Sequence, residues 1–322
     1  MFSHFVVFLA SLGLSKNQFA HAEPYDPSSH RAWNFVNGEK CGLQHPQQRV
    51  FGGENAVLGE LPWVVQIIMF LGFPIVDSRM RCGGAIINKK FVLTVAHCKP
   101  SGKLSGKIKA GDLNRDYDPD CDSNNLCAPV VQEYDIEEFI VHPEHINPEL
   151  GKDIALVKIR DEFQFNDFVA PICLEYGDMV LEDHTGKDAI FAGWGKFRID
   201  PVTSMLESPA VLQKITLPIR DENECNVSLS NITNPAVRDL QQVETLICAG
   251  GFPDQHIYHG DSGGSLAVLQ VVGDDIPRYF AVGLCSLTFP DVPRDTPVAD
   301  IFTRVSYYLR WIMDTIAQEN GI

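Results

Sequence analysis

The chain has 322 residues, 45% hydrophobic and 21% charged, which is enough apolar material for a sizeable core. Its net charge of −16 at pH 7 leaves no basic excess to neutralise phosphates, so nucleic acid is not an expected partner. No apolar run is long enough for a bilayer-spanning helix, so no membrane partner is expected either.

In chain order, the first signal is the apolar run from Phe5 to Leu14, followed by the small-x-small pattern Ala20-His21-Ala22. This predicts a secretory signal peptide over residues 1–22 and a secreted, extracellular protein. In an oxidising compartment cysteines pair. There are nine, at positions 41, 82, 98, 121, 127, 173, 225, 248 and 285, so at least one lacks a partner in the chain. No CxxC pair or His-rich tract points to zinc, and no metal or cofactor is expected. Residues 23–49 hold Pro24, Pro27, Ser28, Ser29, Gly38 and Pro46 and read as a short, loop-like propeptide without a core of its own. Arg49-Val50-Phe51-Gly52-Gly53 then offers a basic residue at an accessible place for proteolysis.

From residue 61 onward short apolar stretches alternate with turns: Trp63–Phe70, Gly84–Ile87, Phe91–Val95, Ile154–Ile159, Ala189–Gly193, Val211–Leu217, Leu266–Val272 and Tyr279–Leu284. Many short strands without alternating long helices predict an all-β fold, sandwich or barrel. Tyr308, Trp311, Ile312 and Ile316 share one helical face and predict a helix over residues 306–318. The acid-rich stretch Asp112–Asp122 could bind calcium, but it lacks the EF-hand alternation; a solvated loop closed by a Cys121–Cys127 bridge is the preferred reading. Asn226-Val-Ser228 and Asn231-Ile-Thr233 are candidate glycan sites on an exposed loop.

Three segments carry chemistry. Val92-Leu-Thr-Val-Ala-His97-Cys98 ends a strand on a histidine. Lys152-Asp153-Ile-Ala-Leu-Val157 opens an apolar strand with an acid. Gly260-Asp261-Ser262-Gly263-Gly264 sets a serine among glycines. A serine hydroxyl is a poor nucleophile without a base and a group to orient that base. A carboxylate entering a buried strand needs a partner, and a histidine supplies one. The order His, Asp, Ser is that of a catalytic triad.

With these residues the chain resembles chymotrypsin/trypsin-family serine proteases over residues 50–322. Eight motifs in order carry the likeness: Arg49-Val-Phe-Gly-Gly53, Pro62-Trp63, Thr94-Val-Ala-His-Cys98, Asp153-Ile-Ala-Leu156, Ala192-Gly-Trp-Gly195, Ile247-Cys-Ala-Gly250, Gly260-Asp-Ser-Gly-Gly264 and Phe302-Thr-Arg-Val-Ser306. A narrower likeness, in Leu58-Gly-Glu-Leu-Pro-Trp63, the Cys121–Cys127 loop and Ile136-Glu-Glu-Phe-Ile-Val-His-Pro143, is to arthropod clip-domain proteases of haemolymph and venom. No clip domain is expected, because residues 23–40 hold no cysteine.

The resemblance implies two six-stranded antiparallel Greek-key barrels with a C-terminal helix. It implies Ser262 as nucleophile, His97 as base, Asp153 as its orienter, and the N–H groups of Gly260 and Ser262 as oxyanion hole. It also implies activation by cleavage after Arg49, with the new amino group of Val50 pairing with Asp261. Bridges Cys41–Cys173, Cys82–Cys98 and Cys225–Cys248 follow from the family's positions, leaving Cys285 as a buried thiol. Implied partners are protein or peptide substrates, an upstream activating protease and serpin-type inhibitors, in an immune or melanisation cascade or in venom.

The chain departs from the family pattern in two regions. Ala189 and Val268 stand where the family often has a bridge, so an apolar contact is expected there. The specificity pocket is altered at His256, Tyr258, Leu287, Thr288 and Asp300, beside Ser286, which also matches the serine that supports the aspartate. Three pocket readings stand open: Asp300 supplies a negative charge for Arg or Lys, Asp300 pairs with His256, or Thr288 and Tyr258 narrow the pocket. A protease homologue acting as a binding cofactor or decoy is the alternative to an enzyme.

Overall fold

The computed structural model describes residues 24–38, 40–44, 54–70, 79–102, 105–195, 198–199, 206–230, 243–252, 257, 260–273, 276–289 and 298–322. The strands are β1 (Glu54–Asn55), β2 (Val64–Phe70), β3 (Arg79–Ile86), β4 (Phe91–Thr94), β5 (Gly106–Ala110), β6 (Gln132–Val141), β7 (Ala155–Ile159) and β8 (Asp188–Gly193). They continue with β9 (Arg198–Ile199), β10 (Leu206–Glu207), β11 (Gln213–Arg220), β12 (Leu246–Gly250), β13 (Ser265–Val271), β14 (Pro277–Leu287) and β15 (Ala299–Arg304). Two α-helices are described, α1 (Glu222–Ser230) and α2 (Leu309–Glu319).

Strands β2-β3-β4-β7-β6-β5 close into one six-stranded antiparallel barrel. Strands β11-β12-β15-β14-β13-β8 form a second, closed by the β8–β11 pairing, with β1 added to its β11 edge. Closure leaves no long unpaired edge, which is how an all-β chain of this length avoids edge-to-edge association. The family-implied architecture is therefore the one observed. The expected apolar contact in place of a bridge is also there: Val268 lies opposite Ala189 in register, and both are buried.

Apolar stretches alone did not reveal four of the barrel strands: β5, β6, β12 and β15. In β6 most side chains are charged or polar and outward, with Ile136 and Phe139 among the few turned fully inward, so alternation is weak. The C-terminal helix begins later than the expected residue 306, because Val305–Tyr308 form a 3₁₀ turn that leads into α2.

Residues 24–44 differ more from the sequence reading. They are loop-like in backbone but docked. Ala32 and Val36 belong to the main core, and the Tyr25 ring lies 4.1 Å from the Arg310 guanidinium on α2. His30 Nε2 lies 3.2 Å from Asp314 Oδ1 on the same helix. Asn37 makes a two-way clamp: its Nδ2 donates to Leu174 O at 2.6 Å, and its Oδ1 accepts from Leu174 N at 2.7 Å. The Cys41–Cys173 disulfide is formed beside it. The segment lacks a core because it borrows one.

The Asp112–Asp122 loop also departs from a simply solvated one. Its Cys121–Cys127 bridge is formed, but Asp112 and Asp120 are buried. Asp120 accepts from the N–H groups of Leu113 and Asn114, and Asp122 from those of Asn124 and Leu126, so these acids cap the loop's own backbone. Among the described residues no group of three or more His, Cys, Asp or Glu is arranged to hold a metal ion. Asn226 lies exposed on α1 rather than on a loop; Asn231 lies outside the described residues.

Docking of residues 24–44 gives a stability test. Ala32→Glu puts an unpaired charge at a fully buried site and is expected to cost about 3–5 kcal/mol in urea unfolding. Phe35→Ala, at an exposed ring of the same segment, is expected to change stability by about 0.5 kcal/mol or less.

Candidate active site

The site is built where the two barrels meet. Strand β4 is buried along its whole length and runs into a 3₁₀ turn, Ala96–Cys98, that carries His97. The Cys82–Cys98 disulfide ties this turn to β3. Asp153 stands two residues before β7, after Lys152 in the left-handed region with φ of 55°, and its side chain is 1% exposed. An isolated carboxylate at that depth would be very costly. Here Oδ1 accepts from His97 N at 3.0 Å, and Oδ2 faces His97 Nδ1 at 2.7 Å. Ser286 Oγ donates to Oδ2 at 2.5 Å. Burial alone would raise the Asp153 pKa; the hydrogen bonds and charge of His97, with the Ser286 hydroxyl, outweigh it and hold the carboxyl below its ordinary value.

Ser286 reaches that carboxylate because of a β-bulge. On β14 Cys285 pairs with Phe302 and Leu287 with Ile301, so Ser286 is the extra residue and is turned out of the ladder. Thr303 on β15 adds a bond from its Oγ1 to Asp153 O at 2.8 Å. The aspartate from the first barrel is thus held by two residues of the second.

Ser262 sits in the turn before β13. Its carbonyl accepts from Gly83 N at 2.8 Å, and Gly83 follows the bridged Cys82. The next residue, Gly263, donates its N–H to Cys285 O at 2.8 Å, beside Ser286. Gly263 has φ of +82°, and a Cβ there would lie 2.1 Å from Thr94 Oγ1, so only glycine fits. The serine turn is therefore pinned to β3, which the Cys82–Cys98 bridge ties to the His97 turn, and to β14, which carries Ser286. Among the described residues the N–H groups of Gly260 and Ser262 have no acceptor, which suits them to receive an oxyanion.

Asp261 points away from this turn toward β8. Its Oδ1 accepts from Gly195 N at 2.7 Å. A Cβ on Gly193 would lie 2.0 Å from Oδ1, and one on Gly195 2.1 Å from Oδ2. The two glycines of Gly193-Trp194-Gly195, read in the sequence only as a family motif, form a seat for this carboxylate.

Of the expected pocket residues, Ser286, Thr288 and Asp300 are described; His256 and Tyr258 lie outside the described residues, as do Arg49 and Val50. Asp300 on β15 is 1% exposed, with Ile257 N donating to its Oδ2 at 3.3 Å. Burial, with the charge of Asp261 adding and the Ile257 N–H opposing, pushes its carboxyl up to about 8. Burial thus favours the protonated form of Asp300 near neutrality. Cys285, unpaired and fully buried nearby, has its thiol pushed well above the ordinary range by burial and the neighbouring aspartates. Cys225–Cys248 is formed, completing the four bridges.

One nearby side chain was not picked out in the sequence. His145, in the loop before Asp153, holds its Nδ1 4.0 Å from Asp153 Oδ1, buried and without a hydrogen-bond partner. No motif marks it; only the fold of the loop brings it there.

Comparison with known proteins gives the same picture. A family model described as Trypsin matches residues 50–312. The chain is 29% identical over 291 residues to the CLIP domain-containing serine protease HP8 of Bombyx mori, covering 88% of this chain and 73% of that protein. It is 28% identical to the Spaetzle-processing enzyme of Drosophila melanogaster, covering 84% of this chain and 67% of that protein. The solved structure of the Drosophila Grass clip serine protease of the Toll pathway superposes with a TM-score of 0.70 at 25% identity, covering 88% of this chain and 77% of that one.

Burial of Asp300 has a measurable signature. Its folded-state pKa is raised, so the folded state binds a proton that the unfolded state has released. Its contribution to stability is complete below pH 4 and is lost as pH rises toward 8. Asp300→Asn removes this dependence. In urea unfolding between pH 5 and 7, the slope of stability against pH is expected to be less negative in the variant by about 1 kcal/mol per pH unit.

Proposed function

Since the chain belongs to the trypsin family and is a serine endopeptidase, we propose that it is a secreted precursor activated by cleavage after Arg49 and working in an extracellular proteolytic cascade. The observation that carries the reading is the Asp153 carboxylate, buried against His97 Nδ1 at 2.7 Å, with the Ser262 turn bonded to β3, which is bridged to the His97 turn, and to β14, which carries Ser286.

In this mechanism Ser262 Oγ attacks the carbonyl carbon of the scissile peptide bond and passes its proton to His97 Nε2. The carbonyl electrons move onto oxygen, where the N–H groups of Gly260 and Ser262 hold the developing charge, a contribution of about 3–4 kcal/mol. Collapse breaks the C–N bond; the leaving amine takes the proton from His97, and Ser262 remains acylated. Water then repeats the sequence, giving its proton to His97 and releasing the acid as Ser262 regains its own. Asp153 keeps the proton on Nδ1 in the resting imidazole and stabilises the imidazolium.

Activation rests on Asp261. Cleavage after Arg49 gives Val50 an α-amino group, and Asp261, seated against Gly193 and Gly195, is its counter-ion. Pairing fixes the turn from Gly260 to Ser262 with both N–H groups toward substrate. Extracellular location follows from the signal-like residues 1–22 and is supported by the four disulfides. The name of the Spaetzle-processing enzyme supports a protein precursor as substrate; an activating protease upstream and serpin-type inhibitors as regulators are part of the same proposal.

In the pocket, Asp300 selects Arg or Lys before the scissile bond through a charge that develops only as it ionises. Protein cut at Arg49 is expected to label with a fluorophosphonate at Ser262, and Ser262→Ala is not. With peptides differing only before the scissile bond, the preference for Arg over Leu is expected to rise at least about fivefold from pH 7 to 9 and to vanish in Asp300→Asn. An unlabelled, folded, cleaved protein contradicts the mechanism; a pH-independent preference contradicts the role of Asp300.

A further inference from the structure

Two histidines lie on the loop that joins β6 to β7, and the mechanism above uses neither. Strand β6 ends at Val141; His142 N then donates to Ile154 O at 3.1 Å, and His145 N donates to His142 O at 3.0 Å. A 3₁₀ turn over Pro148–Leu150 follows. Gly151 and Lys152, with φ of 80° and 55°, reverse the chain, so that Asp153 returns beside His145.

The two rings have different surroundings. The His142 ring centroid lies 5.5 Å from that of Tyr308 and 5.3 Å from that of Trp311, and its Nδ1 accepts from Glu144 N at 3.2 Å. Glu144 and Lys152 form an ion pair with each other. The His145 side chain is 12% exposed, and its Nδ1 is buried without a hydrogen-bond partner among the described residues. That nitrogen lies 4.0 Å from Asp153 Oδ1. The carboxylate itself is unevenly served. Oδ2 meets His97 Nδ1 and Ser286 Oγ, whereas Oδ1 has His97 N as its one hydrogen-bond donor among the described residues. A carboxylate oxygen has room for about two donors. An open acceptor site and a buried nitrogen without a partner are thus separated by a gap about 1 Å longer than a hydrogen bond. The ring nitrogen set against a carboxylate is the one that carries the proton, because a lone pair there is repelled.

We propose that His145 is a positioning residue for Asp153: its Nδ1–H is the donor that Oδ1 lacks, and a movement of about 1 Å completes the bond. With two donors on each oxygen the plane of the carboxylate is fixed. His97 Nδ1 then stays aligned on Oδ2 while the other ring nitrogen gains and loses its proton. His145 touches no reacting atom and acts through Asp153, so the inference rests on the catalytic reading given above.

The test uses the full chain cleaved at Arg49. In ¹⁵N-histidine NMR at about pH 8, where imidazole is neutral, the His145 signals are expected to be those of a ring protonated at Nδ1. Their loss in His145→Asn identifies them, and an unprotonated Nδ1 overturns the proposal. His145→Phe keeps a ring and removes the donor; kcat is expected to fall about tenfold with KM changed by less than about twofold. His145→Asn sets an amide N–H at the place of Nδ1 and is expected to keep kcat within about threefold of the parent. A histidine that only packs is replaced by Phe at least as well as by Asn, so Phe equal to or faster than Asn contradicts the role. If the Phe variant does not fold, the NMR signals and the Asn variant decide. Fluorophosphonate labelling of Ser262 reports separately on the catalytic reading. A labelled parent with an unprotonated Nδ1 overturns His145 and leaves that reading standing; an unlabelled parent with Nδ1 protonated does the reverse.

Discussion

The structure turns on one buried negative charge. Asp153 lies at 1% exposure at the junction of two barrels, and a carboxylate there survives only if donors surround it. His97 supplies two donors from the first barrel, and the Ser286 hydroxyl supplies a third from the second. Thr303 binds the same residue's carbonyl. The cost of burying the charge thus becomes a constraint on how the barrels meet, since separating them would strip the carboxylate of Ser286. Chemistry needs the same arrangement, because a carboxylate held against Nδ1 leaves the other imidazole nitrogen to act as base.

The serine turn is fixed by backbone rather than by charge. Ser262 O and Gly263 N are bonded to opposite barrels, at Gly83 and Cys285, so the nucleophile spans the same seam as the aspartate. Glycine is needed at 263 because Thr94 occupies the space of a Cβ, and at 193 and 195 because Asp261 does. The glycine-rich signature is therefore a packing requirement as much as a flexible turn. It also separates two neighbouring acids into two tasks, Asp153 toward the histidine and Asp261 toward β8.

Much of this could be read before the fold was known. His97, Asp153 and Ser262 stand in motifs with a fixed order, and the short apolar runs pointed to a β architecture. What stayed hidden has physical causes. Residues 24–38 and 40–44 have no periodicity because their regular structure is two single 3₁₀ turns, Pro27–Ser29 and Trp33–Phe35; Ala32 and Val36 are buried by a surface that the rest of the chain builds. Ser286 reaches Asp153 through a bulge, and a one-residue shift in register leaves no compositional trace. His145 approaches the aspartate through a loop in which nothing but spacing ties the two together. Asp300 was visible as an oddity, but only its burial shows that its charge is suppressed near neutrality.

The two sides of the serine now look chemically different. On one side stands Asp300, a buried acid whose charge is suppressed near neutrality; on the other, Gly83 of β3 and Trp194 line a cleft beside Gly260. Both depend on a functioning aspartate–histidine pair. The most direct test of that pair is the turnover of Asp153→Asn in the protein cleaved at Arg49, with a thermal melt to confirm that the barrels still close. The account predicts a melt near that of the parent and a fall in kcat of about 10⁴-fold, because the amide cannot hold the histidine in its working tautomer. A folded variant that keeps kcat within about tenfold of the parent would contradict it.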